Sequence, residues 1–139
     1  MKPGQFLCYT MLQTTSITSI VSTRVIDGPI PQSTVLSALP AINVVEQPGG
    51  NERNGIGEKT FTINSRALTK NASEDLSREV IKLFNGLSGN GKYGTMNGFD
   101  VARISLRDNG IGGLIYEDST GYFNYPIDIF MVYSLDIVS

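Results

Sequence analysis

An α+β fold is predicted by three observations: two short β-rich runs flank a Gly/Asn-rich segment, a capped amphipathic helix follows the second run, and a long alternating stretch lies near the C-terminus. Nothing from Pro40 to Leu87 forms a catalytic motif, so the pattern points to assembly rather than chemistry. At 139 residues and 15.1 kDa the chain fits a single domain, residues 1–139, large enough to bury a core.

The first element is a helix over residues 4–23, because Phe6, Leu7, Met11, Leu12, Ile17, Ile20 and Val21 recur closer to the helical period than to alternation. Its Thr/Ser-rich second half has mediocre propensity, which places a break near residues 14–16. Residues 24–38 hold Asp27, Gly28, Pro29 and Pro31 and read as an irregular connector. Strands are expected at 41–47 and 59–67, the second with Phe61, Ile63 and Ser65 on one face. The intervening residues 48–57, including Asn51, Glu52, Arg53, Asn54 and Ile56, read as a loop well beyond the length of a minimal hairpin.

Asn71 and Glu74 have capping-box spacing, so a helix should begin there. Ala72, Leu76, Val80, Leu83, Phe84 and Leu87 supply its core face, with Ser77 and Arg78 elsewhere around the axis. Residues 88–98 are a glycine-rich connector, and Phe99, Val101, Ile104 and Leu106 suggest a strand whose alternation slips unless a β-bulge falls near Ala102 or Arg103. Asp108, Asn109 and Gly110 mark a turn, residues 113–118 a short strand, and Ser119, Thr120 and Gly121 another turn. Residues 122–138 are the last long strand, with Tyr125, Ile127, Ile129, Met131, Tyr133 and Leu135 in strict alternation.

Composition closes several routes to function. Eleven basic against 13 acidic residues give a net charge of −2, without the positive field that nucleic-acid binding requires. With no histidine and one cysteine, a Ser-His-Asp or Cys-His triad is impossible and a typical zinc site cannot be assembled. Cys8 sits among apolar residues and reads as a small buried hydrophobe. The N-terminus makes a poor signal peptide and no run is long enough to span a bilayer, so a soluble protein of cytosolic origin is expected.

Gly89, Gly91 and Gly94 match dinucleotide-fingerprint spacing, but the helix precedes them and the strand follows, the reverse of what the motif needs. Glu74 with Asp75 is accounted for by a helix N-terminus, and Glu117 with Asp118 by a solvated turn. The expectation is no enzyme, no cofactor and no metal. Tyr116, Tyr122, Tyr125 and Tyr133 read as sheet packing, with a binding face as the other possibility.

The order of elements resembles the tail-terminator or tail-completion proteins of long-tailed bacteriophages. The resemblance is carried by the first helix ending in Ile20-Val21-Ser22-Thr23-Arg24-Val25-Ile26-Asp27-Gly28 before the prolines, by the strand opened by Pro40-Ala41-Ile42, by the strand from Phe61 to Ala67 running into the helix from Asn71, and by the final alternating strand. It implies a twisted, mainly antiparallel sheet with two or three helices packed on one face, and a homo-hexameric ring at the head-proximal end of the tail. Its partners would be further copies of itself, the tail-tube protein and the head–tail connector, in a virion neck assembled in the host bacterial cytoplasm. A closed ring needs a heterologous interface, for which exposed sheet edges and long loops are the usual material. Asn51, Glu52, Arg53, Asn54 and Ile56 of the loop and Tyr133 and Leu135 of the last strand are the candidate contacts with a neighbouring subunit or the tube. Another neck component, or a small domain binding a peptide or ligand through its tyrosine-bearing strands, fits the same sequence.

Overall fold

The computed structural model describes residues 3–28, 40–53, 56–84, 94–96, 99–111, 113–117 and 121–135. The first helical segment is broken as expected, into α1 (Pro3–Leu12) and α2 (Thr15–Val21). The Thr14 hydroxyl donates to the Thr10 carbonyl and the Thr10 hydroxyl to that of Phe6, both at 2.9 Å. Such back-bonding competes with backbone pairing, and Thr14 itself leaves the helix with extended backbone.

Residues 24–38 are not wholly irregular: Val25–Asp27 form β1, parallel to β2 (Ala41–Glu46) with Val25 opposite Ile42. Three residues between turn-forming neighbours carry no periodic signal, and the strand exists because β2 supplies its partners. Arg24 strengthens the junction by donating from Nε to the Pro40 carbonyl at 2.8 Å.

The remaining strands are β3 (Asn51–Arg53), β4 (Ile56–Ala67), β5 (Gly94–Met96), β6 (Phe99–Ile111), β7 (Ile115–Glu117) and β8 (Tyr122–Leu135). Their order is β1-β2-β4-β8-β6-β5, with β3 also on β4 and β7 also on β8, and every pairing except β1 with β2 is antiparallel. The fold is α+β. Its helices share one face of the sheet, where Leu7, Met11, Ile17, Leu76, Val80 and Phe84 enclose the core with Ile42, Val44, Ile63, Ile104 and the alternating Ile127, Ile129, Met131 and Tyr133.

The slip in β6 is the expected bulge: Val101 faces Tyr133 and Arg103 faces Val132, leaving Ala102 unmatched. The turn expected at 108–110 is absent. Leu106 faces Ile129 and Ile111 faces Ile127, so four residues of β6 lie opposite one of β8, and Asp108, Asn109 and Gly110 are absorbed as an irregularity inside the strand.

Helix α3 spans Lys70–Phe84 and is capped by Thr69, whose Oγ1 accepts from the Ala72 N–H at 3.2 Å. Asn71 is therefore inside the helix rather than at its cap, and Glu74 and Asp75 lie beyond the first turn, where the macrodipole gives them little. Thr69→Ala should cost about 1 kcal/mol in urea denaturation and Asn71→Ala far less; the reverse order would restore Asn71 as the cap. The core face is as expected except that Ser77 is buried on it and Ala72 is only half-buried. Buried Ser73 ties the helix to the sheet, its hydroxyl donating to the Ser65 carbonyl at 2.7 Å. The expected core residue Leu87 and the glycines Gly89 and Gly91 fall outside the described residues.

Candidate assembly surface

Residues 47–50 interrupt the edge that β2 presents to β4. The Gln47 N–H still reaches the Thr60 carbonyl at 2.9 Å, Gly49 turns the chain with φ of +96°, and pairing resumes as β3, with Asn51 opposite Glu58, Glu52 opposite Gly57 and Arg53 opposite Ile56. The expected long loop is thus largely a hairpin built on the end of β4. The sequence conceals this because three polar residues become a strand only against a partner.

The hairpin is pinned from beneath. On the helix-covered face Gly57 lies opposite Tyr133, and a Cβ on Gly57 would fall 2.2 Å from the ring's Cζ. Absence of a side chain lets the ring lie flat across β4, and its hydroxyl donates to Glu52 Oε1 at 2.5 Å. Lys59 Nζ sits 2.5 Å from Glu46 Oε1 and 3.7 Å from Glu52 Oε1, joining both carboxylates to the ring's outer edge. Burial first, then the hydrogen bond and charge of Glu52 and the charge of Glu46, push the Tyr133 hydroxyl far above its ordinary range. It remains a donor at any pH near neutrality.

This geometry sorts the candidate contacts. Ile56 is 53% exposed at the start of β4, and Glu52 is exposed beside it on β3. Asn51 and Arg53 flank Glu52 in the strand, whereas Asn54 lies outside the described residues. Tyr133 is only 1% exposed and is corrected from a contact residue to the hairpin's internal support. Leu135 ends β8 opposite Phe99 of β6. The last strand offers no edge, since β4 and β6 occupy its two sides; strand order is decided by tertiary pairing and is not written in the alternation.

The helix-free face is polar and tied together in its middle by side-chain hydrogen bonds, although the buried Asn43 Oδ1 and Asn124 Oδ1 on it find no partner among the described residues. Gln47 Nε2 donates to Thr62 Oγ1 at 2.7 Å and to Asp128 Oδ1 at 2.9 Å, Thr62 Oγ1 donates to the same carboxylate at 2.8 Å, and Asn124 Nδ2 donates to Asn64 Oδ1 at 3.0 Å. A shallow concavity of about 340 Å³ lies where this face meets the 47–50 turn, lined by Gln47, Thr60 and Phe130 among others. Tyrosines do not line it. Tyr122 instead receives the Arg66 guanidinium over its ring at 5.3 Å and a hydrogen bond from it at 3.0 Å, and Tyr116 packs on Phe123 with centroids 4.9 Å apart.

Cys8 is buried as expected, and desolvation, aided by the charge of Asp27, pushes its thiol up to about 12. A raised folded-state value means that only the unfolded chain gives up the proton first, so this group's contribution is intact below pH 9 and lost between 9 and about 12. Native protein at pH 8 should therefore leave Ellman's reagent unreacted until denaturant is added; prompt reaction would show Cys8 to be accessible. Among the described residues no cluster of three or more His, Cys, Asp or Glu side chains could hold a metal ion. No helix among them is long and apolar enough to cross a membrane.

The class these features define is an α+β domain with one helix-covered sheet face and a pinned hairpin at one end of its central strands. No protein-family model matches the chain, and no curated protein does. Among solved structures it is similar to a chain from the "Virion of native gene transfer agent (GTA) particle", with a TM-score of 0.61 over 92% of this chain and 91% of that one, at 9% identity. That likeness shows a shared fold across nearly the whole length of both chains.

Proposed function

We propose that this protein is a structural component of a phage-like virion, in the role of a tail terminator. Copies of it form a hexameric ring at the head-proximal end of the tail, end tail-tube polymerisation and join the tail to the head connector. The observation that carries this reading is the coincidence of an end-to-end fold match to a virion chain with the tail-terminator-like order of elements in the sequence. The pinned hairpin supports it, because a ring contact needs a protruding element whose geometry is set before assembly. The protein acts by binding, without catalysis or cofactor, and its partners are its own copies, the tube protein and the connector.

Disrupting the gene in a particle-producing strain tests the reading. A missing terminator should leave tube growth without its stop, giving tails of uncontrolled length detached from filled heads in electron micrographs. Normal-length tails that fail to join heads would assign the protein to another neck position, and intact particles would overturn the virion role.

A further inference from the structure

Among the described residues five large hydrophobic side chains are exposed: Tyr9, Ile56, Leu68, Ile115 and Tyr116. Single exposed hydrophobes are ordinary, but three of these gather at one place. Leu68 follows the pairing of Ala67 with Phe123, Phe123 is opposite Tyr116 in β7, and Ile115 is opposite Asn124. Alternation puts Tyr116 and Ile115 on opposite sides of the sheet, so the apolar surface wraps its end.

Ile56 stands at the other end of the same strand. Ala67 lies eleven positions further along, roughly 36 Å of extended chain, so the two surfaces meet only between molecules. Their described charges are complementary: exposed Glu58 shares a face with Ile56, and exposed Lys70 lies two residues past Leu68. A molecule with two different, mutually fitting ends is equipped for head-to-tail contact, the kind a ring requires.

We propose that the β3–β4 hairpin of one copy docks, through Ile56 and Glu58, onto the Leu68, Ile115, Tyr116 and Phe123 surface of a second copy. The inference rests on the ring reading and supplies the acceptor half of its interface. Tyr133 and Glu52 hold the hairpin so that Ile56 projects without ordering cost at docking.

The test places the photoreactive residue p-benzoylphenylalanine at Tyr116, which keeps an aromatic group there, and maps the crosslinks after irradiation by mass spectrometry. Assembly is followed in parallel by light scattering, with and without the tail-tube protein of the same particle. The expected result is an adduct on residues 52–58 of a second copy, with the same group at Tyr9 giving none. Ile56→Asp should abolish the adduct and weaken self-association about tenfold or more, equivalent to ~1.4 kcal/mol, while leaving the melting temperature unchanged. Oligomers whose adducts lie elsewhere would overturn the pairing and leave the ring standing. A monomer under every condition, with no adduct, would overturn both.

Discussion

Replacing Phe84 with alanine should cost about 3 to 5 kcal/mol of folding stability, the largest loss expected from any single truncation in α3. Phe84 is fully buried in the cluster where α3 meets the sheet, alongside Leu76 and Val80 from its own helix and the central residues of β4 and β8. Removing the ring loses its transfer energy and leaves a cavity that flanking strands, held by pairing on both sides, cannot close. A control sits two residues earlier. Lys82, whose side chain is 64% exposed, pairs with Glu79 at 3.4 Å, and Lys82→Ala should change stability by only a few tenths of a kcal/mol. Urea denaturation distinguishes them, and a loss below about 1 kcal/mol for Phe84→Ala would mean that this helix face is not packed as described.

Gly57→Ala is the second large effect, and it acts on the hairpin. The added methyl would overlap the Tyr133 ring, which at 1% exposure has no free space to enter. The ring must shift, taking its hydroxyl away from Glu52, at an expected cost of about 1 to 3 kcal/mol for overpacking, with the lost hydrogen bond in addition. The diagnostic is non-additivity. In a Tyr133→Ala background the same Gly57→Ala change should be nearly free, because the atoms it collides with are gone. Equal costs in both backgrounds would place the penalty in the backbone of Gly57 rather than in its contact with the ring.

Elements with their own periodicity were legible in the sequence. The alternation at Ile127, Ile129, Met131 and Tyr133 marked the buried face of β8, the slip after Val101 marked the Ala102 bulge, and Thr14 marked the helix break. Elements that borrow their structure were not legible. β1 and β3 have three residues each and exist through β2 and β4. Thr69 and Asn71 are both cap-forming types, and the choice between them is made where β4 ends.

The candidate surface divides the same way. Glu52 and Ile56 were found because an unusually long non-periodic insertion draws attention, although the glycine that matters structurally, Gly57, works by leaving room for a ring rather than by flexibility. Tyr133 was chosen as part of a last strand expected to offer an edge, and it proves to act from inside. The Leu68, Ile115, Tyr116 and Phe123 surface went unnoticed because its members come from the residue after β4, from β7 and from β8, and only pairing brings them together. A tyrosine count near the C-terminus was the one available signal, and it pointed at Tyr116 without its neighbours.

Native mass of the purified protein across concentration, with and without the tail-tube protein and followed by negative-stain imaging, tests the central claim most directly. The 15.1 kDa chain should give way to a sixfold mass in ring-shaped particles, formed alone or on the end of the tube. A chain that stays monomeric at every concentration and ignores the tube protein would contradict it.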